Sequence, residues 1–139
     1  MNDSVFIDTN ILVYAATTDH QEMEKREMAV ALLNDLNNRD VYVSTQVINE
    51  FYSILLKNHI DEPSIREKIG IILREMKLVI VRLPTIDLCW QLRDRYRYSY
   101  WDSMILATAC EKGCAIIYTE DMQHQQLIED KLRIVNPFA

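Results

Sequence analysis

Glycine and proline are scarce in this chain, which has two glycines and three prolines among 139 residues. These are the residues that most often interrupt helices and strands. Their scarcity predicts a helix-rich structure with short loops. Long hydrophobic runs are also missing: the stretch 78–81 is typical of the longest, far below the roughly 18 apolar residues that cross a membrane. The sequence therefore does not indicate a membrane protein.

Cysteine and histidine are too few, and too irregularly spaced, to predict a disulfide framework or a zinc site. The three cysteines are odd in number and lie in predicted helices or at their ends: Cys89, Cys110 and Cys114. The three histidines show no paired spacing, and we expect them on the surface or in loops: His20, His59 and His124. Residues 1–4 carry no basic or apolar leader, so we expect a cytoplasmic protein.

Positive charge is in deficit: 15 lysines and arginines stand against 21 aspartates and glutamates, for a formal net charge of −6. This balance argues against a general binder of phosphate backbones. It does not exclude an enzyme that acts on nucleic acid, because a local basic patch can coexist with an acidic metal site. The composition is that of a globular protein, and the length predicts a single domain over residues 1–139.

Short apolar stretches alternate with longer segments of helical periodicity. The predicted strands cover 5–7, 41–43, 78–81, 115–118 and 132–135. The predicted helices cover 11–15, 22–37, 46–58, 63–76, 86–97 and 101–112, with a short helix around 124–129. Strands that alternate with helices form a parallel sheet covered on both faces. The predicted fold class is therefore α/β, a single-domain three-layer α/β/α arrangement around a mostly parallel sheet.

Apolar periodicity also predicts which helix positions are buried. The expected inward-facing stripes include Met28, Ile54 and Leu73. Lys25 and Arg26 are expected to be plain surface residues. Gly113 is the expected left-handed terminator of the helix before it.

Two carboxylates follow directly on predicted strands. Asp8 comes after strand 5–7, and Asp121 closes a short polar segment after strand 115–118. The carboxyl ends of parallel strands border the crevice in which α/β proteins bind ligands. An ordinary helix N-cap at Asp8 and an ordinary turn residue at Asp121 are the structural alternatives.

Two further carboxylates lie on or beside apolar helix faces. At 100° per residue, Asp102 shares a side with Ile105, whereas Glu111 points the opposite way into solvent. Glu50 lies at the margin of the apolar stripe of helix 46–58. A buried carboxylate is costly unless it is paired, hydrogen-bonded or metal-bound. The alternatives are a first-turn acid that interacts with the helix dipole at Asp102 and an exposed side chain at Glu50.

Several carboxylates in one crevice cannot all remain ionised without a compensating charge, because like charges raise one another's pKa. Mg²⁺ and Mn²⁺ resolve this conflict, since both prefer oxygen ligands. A cation that is held by carboxylates and keeps several waters suits phosphoryl chemistry. The acids therefore predict a Mg²⁺ site that Mn²⁺ would also occupy.

Four segments in this order resemble the PIN domain, the small metal-dependent ribonuclease fold that includes VapC-type toxins. They are Val5-Phe6-Ile7-Asp8-Thr9-Asn10, Val47-Ile48-Asn49-Glu50-Phe51, Tyr100-Trp101-Asp102-Ser103-Met104-Ile105 and Tyr118-Thr119-Glu120-Asp121. The resemblance covers nearly the whole chain. It implies cleavage of RNA that leaves a 5′-phosphate and a 3′-hydroxyl.

The resemblance also implies roles for individual residues. Four acids would form the catalytic and metal-binding site: Asp8, Glu50, Asp102 and Asp121. Three side chains would support them, two through hydroxyls and one through an amide: Thr9, Thr119 and Asn10. The family's last acid usually lies two residues beyond a serine or threonine, which selects Asp121 and leaves Glu120 as the fallback.

A basic and aromatic cluster leads into Asp102. Arg93 and Arg97 share a predicted helix face at i and i+4, with several tyrosines and Trp101 close by. Such a cluster would track an RNA backbone and stack bases. An equally good interpretation pairs the arginines with Asp94 and puts the aromatic rings in the core.

Family membership would also imply partners. VapC-type toxins are held inactive by a small antitoxin and commonly form homodimers. The apolar helices at 46–58 and 63–76 would supply a hydrophobic groove or a dimer face, although such helices are more often simply core.

Other functions fit the residues less well. A phosphatase of the haloacid dehalogenase type would need a second aspartate where this chain has Asn10, and a phospho-receiver domain would need a strand-end lysine that we do not find. The main alternative is a catalytically silent PIN-like module that binds RNA or another protein. The presence of all four acids argues against it.

Overall fold

The computed structural model describes residues 2–139 and shows a six-stranded sheet with helices between its strands. The strands are β1 (Val5–Ile7), β2 (Val41–Ser44), β3 (Lys77–Val79), β4 (Ile116–Tyr118), β5 (Leu127–Ile128) and β6 (Leu132–Val135). The helices are α1 (Thr9–Ala16), α2 (Met23–Asp35), α3 (Thr45–Lys57), α4 (Glu62–Glu75), α5 (Leu83–Tyr96) and α6 (Tyr100–Glu111). A 3₁₀ turn at His20–Glu22 precedes α2. The predicted α/β class is confirmed.

The strand order is β3-β2-β1-β4-β6-β5, and every neighbouring pair is parallel except β5 with β6. The chain builds outward from β1 to β3 and then returns to β4 on the other side of β1. Ligands bind at the point in an α/β sheet where the order reverses in this way. Ile7 pairs with Tyr118, so the two residues that follow them, Asp8 and Thr119, emerge side by side.

The centre of the molecule is strand β1 and helix α6. All three residues of β1 are fully buried, and the seven consecutive residues 103–109 of α6 are buried. A helix buried on all sides lies inside a domain instead of covering its surface. Helix α5 packs mainly on α6, whereas α1 packs on α2 and α3. This core rigidly holds the two chain segments that carry Asp8 and Asp102.

Helix α6 ends as the sequence predicts. Gly113 has a φ of 67°, and the Cys114 N–H donates back to the Ala109 carbonyl over 3.1 Å. Glycine adopts this left-handed conformation without the steric cost that a side chain brings. The prediction for Gly113 is confirmed.

The predicted short helix at 124–129 is wrong. Residues 127–128 form strand β5, which pairs antiparallel with β6 through a turn in which Glu129 and Asp130 have positive φ angles. The Glu129 N–H also donates to the hydroxyl of Tyr96 in α5, over 2.9 Å. In so short a segment, hydrogen bonds to β6 and to α5 outweigh the weak helical pattern of the local sequence.

Other boundaries differ from prediction by one to three residues, and two of these differences have a clear physical reason. The third strand covers Lys77–Val79 instead of 78–81, because the Val81 N–H leaves the sheet and donates to the Thr45 hydroxyl. The helix predicted at 86–97 already begins at Leu83, with Pro84 in its first turn, where its missing N–H is not needed.

The predicted inward-facing stripes are buried at positions such as Phe51 and Ile72, but three of the predicted positions are exposed. Two of these are Met28, which is 39% exposed, and Leu73, which is 43% exposed. Ile54 is also exposed, and it lies at the edge of the acidic cleft described below. Over residues 2–139, no helix combines the length and the hydrophobicity that crossing a bilayer requires.

Candidate active site

Asp8 lies at the carboxyl end of β1 and is 4% exposed. It is the N-cap of α1, where its Oδ1 accepts a hydrogen bond from the Thr9 N–H over 2.7 Å. Its other oxygen, Oδ2, accepts from the Thr119 hydroxyl over 2.7 Å. The N-cap interpretation of Asp8 is therefore correct, but it accounts for only one of the two carboxylate oxygens.

The end of β4 supplies the second acid of the cluster. Thr119 is buried and follows the last residue of β4, and its hydroxyl accepts from the Asp121 N–H over 3.2 Å. Asn10 spans the gap between the two strand ends. Its Nδ2 donates to Asp121 Oδ2 over 2.9 Å and lies 3.3 Å from the Thr119 hydroxyl. Thr119 and Asn10 thus tie Asp121 to Asp8.

Asp102 reaches the same point from α6. Ser99 caps this helix and accepts from the Asp102 N–H, so Asp102 sits in the first turn, as the structural alternative had it. Its carboxylate nevertheless joins the other two. Asp8, Asp102 and Asp121 each place one carboxylate oxygen so that all three lie within 4.8 Å of one another. Two strand ends and one helix N-terminus therefore converge.

Glu50 lies beside this cluster without being part of it. Its side chain lines the same cleft, which has a volume of about 260 Å³, and it is partly buried instead of exposed. The Thr9 hydroxyl donates to Glu50 Oε1 over 2.8 Å. Thr9 thus links α1 to α3 and holds the fourth acid at the side of the cleft.

Glu120, the alternative to Asp121, has other partners. Its Oε2 forms an ion pair with Lys25 over 2.9 Å, and its Oε1 accepts from the Tyr14 hydroxyl. The Lys25 ammonium also lies over the rings of Tyr14 and Phe138. The prediction that Lys25 is a plain surface residue is wrong, because α2 brings it to the end of β4.

The electrostatics of the cleft disfavour three free carboxylates. Burial is the main cause that raises the pKa of Asp8, to about 7; the nearby charges of Asp121 and Asp102 add to it, and hydrogen bonds from Thr119 and Thr9 offset part of it. Burial likewise raises the pKa of Asp102, and the charges of Asp121 and Glu50 add to this rise. A cation in the cleft would remove this conflict.

The donor set of the cluster consists of oxygen atoms. Three carboxylates offer one oxygen each, and neither histidine nor cysteine belongs to the group among the described residues. Oxygen ligands in this number suit Mg²⁺ or Mn²⁺ and leave positions for water. The residues present therefore fit the metal that the acids predict.

The arginine cluster differs from its prediction. Arg97 lies past the end of α5 with a φ of 65°, so it does not share a helix face with Arg93. Arg93 donates to the Tyr98 carbonyl and thereby stabilises the corner between α5 and α6. Both side chains are exposed. Tyr96 and Tyr98 are partly buried and hydrogen-bonded to Glu129 and Gln126.

Some features of the cleft were not predicted. Tyr14, Ile54 and Val13 line it, and only their positions one turn after Asn10 or Glu50 in sequence could have indicated this. Glu111 was predicted to be solvated but is partly buried: it accepts from the Thr85 hydroxyl over 2.7 Å and lies 3.7 Å from Arg82. That environment depends on how α5 packs against α6.

Comparison with known proteins agrees with this architecture. The PIN domain family model matches residues 5–129. No curated protein is significantly similar to the chain in sequence.

Several solved structures share the fold. The toxin VapC20 of Mycobacterium tuberculosis, described as cleaving the sarcin-ricin loop, is 19% identical with a TM-score of 0.67, and the match covers 84% of this chain and 91% of that one. A toxin–antitoxin complex from Klebsiella pneumoniae is 20% identical with a TM-score of 0.70, over 96% and 97% of the two chains. VapBC2 from Rickettsia felis, bound to a promoter DNA fragment, is 16% identical with a TM-score of 0.71, over 96% and 99%. At these identities the likeness concerns the fold alone. Because the family model spans most of the sequence, the chain belongs to the PIN domain family.

Proposed function

We propose that this protein is an Mg²⁺-dependent endoribonuclease, with Mn²⁺ as a substitute, that hydrolyses RNA phosphodiester bonds. The convergence of Asp8, Asp102 and Asp121 at the carboxyl edge of the sheet carries the proposal. Asp8 is almost fully buried, and a buried carboxylate without a cation costs on the order of several kcal/mol, which exceeds what its role as a helix N-cap requires. Membership of the PIN family favours a nuclease over other metal-dependent hydrolases.

Asp8, Asp102 and Asp121 would hold the metal. When bound, a divalent cation in such a site polarises the phosphodiester and lowers the pKa of a water molecule. Thr119 and Asn10 would keep the carboxylates of Asp8 and Asp121 oriented through the bonds described above. Partners of this kind fix the geometry of ligands and tune their affinity for the metal.

Glu50 would have a different task. Because it lies outside the three-acid cluster, its carboxylate is available to orient the attacking water or to accept its proton. The Thr9 hydroxyl would fix the position of that carboxylate. Asp8 is buried at the base of the cleft, whereas Glu50 lines its side. In this proposal, Asp8 binds the metal and Glu50 accepts the proton.

The test compares the wild type with Asp8→Asn and Asp102→Asn on a pool of structured RNAs, with Mg²⁺, with Mn²⁺ and with EDTA. Asparagine keeps the shape and removes the charge, so folding should survive, and circular dichroism checks it. Both substitutions should lower cleavage at least about 100-fold. Asp35→Asn, the same change at an exposed position of α2, should leave cleavage unchanged.

Two results would contradict the proposal. Cleavage that persists in both site variants would place the activity elsewhere or in a contaminant. A folded wild type that binds RNA or a protein partner but cleaves no RNA in any metal would favour the silent module instead. Titration with Mn²⁺ distinguishes a metal-dependent nuclease from a silent module, because a silent wild-type protein should bind Mn²⁺ no better than the Asp8→Asn variant does.

We further propose that the protein is the toxin of a type II toxin–antitoxin pair, with a cognate antitoxin as partner. A groove of about 500 Å³ supports this. Apolar side chains from α1, α2 and α4, with Phe51 of α3, line it, and Arg39 and Lys68 are among its polar residues. None of the four acids lines this groove. An apolar helix of an antitoxin would fit this groove. Helix 46–58 was expected to line such a groove, but Phe51 is its one residue that does so.

We also propose that the protein forms a homodimer in the cytoplasm. Ile80, which directly follows β3, and Leu83, the first residue of α5, are 61% and 76% exposed and would supply an apolar face for a second copy. Light scattering should find a dimer in the wild type and a monomer in Leu83→Asp. A monomeric wild type, with or without the co-expressed antitoxin, would contradict this part of the proposal.

A further inference from the structure

Trp101 is 61% exposed although it lies immediately before Asp102 at the start of the most buried helix of the fold. A large apolar ring left in solvent at the edge of a polar cleft has no role in the core. Exposed tryptophan rings of this kind are suited to binding flat ligands by stacking.

The ring of Trp101 is held in place from one side. Tyr100, which is partly buried, packs against it edge to face, with ring centroids 5.4 Å apart. The Tyr100 hydroxyl in turn accepts a hydrogen bond from Trp90 Nε1 over 3.1 Å. A ring that is already positioned loses little entropy when a ligand stacks on it.

Trp101 forms one side of a recess of about 410 Å³ between α3 and α6. Met104 and Val81 contribute further apolar surface, whereas Asn49 and Glu50 contribute polar groups. Glu50 also lines the acidic cleft, so the recess and the cleft share a wall. A chain that enters the cleft therefore has access to the recess.

Gln46 adds a hydrogen-bonding group to the recess. Its Nε2 donates to the Trp101 carbonyl over 3.2 Å and thereby links α3 to α6. Its Oε1 is buried without a hydrogen-bond partner. A buried acceptor without a donor is costly, and a ligand amino group at the recess would remove that cost once the side chain turns.

We propose that this recess is a nucleobase subsite, in which the base next to the scissile phosphate stacks on Trp101 and meets the amides of Gln46 and Asn49. The inference rests on the proposed function and adds how the substrate is held. No lysine or arginine lines the recess, so a phosphate would not be stable there, whereas a neutral base would. Stacking would bind all four bases, and the two amides would select among them.

The first test measures binding without cleavage. The chain has two tryptophans and seven tyrosines, so Trp90→Phe leaves Trp101 as the single tryptophan, which is excited at a wavelength that tyrosine does not absorb. The substitution removes the hydrogen bond to Tyr100 but keeps the edge-to-face contact between Tyr100 and Trp101. Ten-nucleotide homopolymers of RNA are titrated into this variant with Ca²⁺ in place of Mg²⁺. Stacking should quench the fluorescence of Trp101, with a different affinity for at least one of the four bases. Trp101→Phe, which keeps only Trp90, should show no quenching.

The second test measures cleavage. Trp101→Ala should raise KM about five- to 150-fold with a smaller effect on kcat, because a stacked base contributes to binding and not to the chemical step. Trp101→Phe should restore most of the affinity, since it keeps an aromatic face. Leu127→Ala, which truncates an exposed apolar residue outside the recess, should leave KM unchanged.

The outcomes separate this inference from the nuclease proposal. Quenching without cleavage would support base binding in the recess and overturn the nuclease, so the recess would belong to an RNA-binding module. Cleavage with an unchanged KM in Trp101→Ala would overturn the subsite and leave the nuclease intact. If Trp101→Ala converts a dimer to a monomer, the ring belongs to an interface between copies of the chain, and the subsite is wrong.

Discussion

The Thr119 hydroxyl donates to Asp8 Oδ2 over 2.7 Å, although the two residues are 111 positions apart in sequence. The bond exists because β1 and β4 are neighbours at the point where the strand order reverses. It is the only direct hydrogen bond from a side-chain hydroxyl to Asp8 among the described residues. Thr119 therefore partly offsets the burial of the central acid of the cleft.

Removing that hydroxyl should weaken the metal site without unfolding the protein. Thr119→Val keeps the shape of the side chain but leaves Asp8 Oδ2 with only the long hydrogen bond from Asn10 Nδ2, over 3.5 Å, which raises the pKa of Asp8 further. We expect Mn²⁺ affinity and RNA cleavage to fall about 10- to 100-fold. Isothermal titration measures the affinity. Thr108→Val removes another buried hydroxyl, bonded within α6 to Met104, and should change stability but not affinity for Mn²⁺.

The metal-free protein should become less stable as pH rises. The pKa of Asp8 is about 7 when folded, against 3.8 ordinarily, so the folded state holds this proton more tightly. The resulting stabilisation is fully present below about pH 4 and is lost as pH rises through about 7. In EDTA, the melting temperature should fall across that window, by about 3 °C for each kcal/mol lost.

Two additions test the assignment of this pH dependence to Asp8. Asp8→Asn should flatten the profile, because the titrating group is gone, whereas Asp35→Asn should retain the slope. Mg²⁺ added to the wild type at about pH 8 should raise the melting temperature again. A wild-type profile that rises over the same window would contradict the assignment.

Glu120 and Asp121 should respond differently to loss of charge. Glu120→Gln removes the partner of Lys25 at a partly exposed position, which should cost less than about 1 kcal/mol and leave cleavage nearly unchanged. Asp121→Asn should lower cleavage at least about 100-fold. The two variants are assayed side by side with Mg²⁺. The reverse result would make Glu120 the ligand.

Two substitutions in helix α4 test whether the apolar groove binds the antitoxin. Ile71 and Leu73 of α4 are 41% and 43% exposed, but only Ile71 lines the groove. Ile71→Asp should weaken the complex with the co-expressed product of the neighbouring gene at least about tenfold, because a charge would be buried against apolar surface. Leu73→Asp should not weaken it. Both variants should keep their nuclease activity.

Substitution of Arg97 tests the RNA contact that the sequence predicts. Its side chain is exposed past the end of α5, whereas Arg93 also supports the corner between α5 and α6. Arg97→Gln should raise KM about two- to fivefold and weaken its dependence on salt, because one phosphate contact is lost. Arg74→Gln, at another exposed arginine, should change neither. Equal effects of the two substitutions would show that only net charge matters.

The sequence alone indicated the features that depend on local pattern. Residues 5–7 are apolar and end in a carboxylate, which predicts both the buried strand and the position of Asp8 at its end. The period of α6 put Asp102 on the side of Ile105, and Gly113 predicted where the helix ends. The alternation of strands and helices was sufficient for the α/β class, because each element buries its apolar face against the next.

Only the tertiary structure decided what depends on partners far away in sequence. β5 forms because β6 is available to pair with it, although residues 124–129 resemble a short helix in isolation. Lys25 binds Glu120 because α2 crosses the end of β4, which leaves Asp121 as the acid that joins Asp8. The exposure of Trp101 likewise depends on how α3 and α5 pack around α6. Hydrogen bonds and burial between distant segments are set by the fold, and a local pattern carries no information about them.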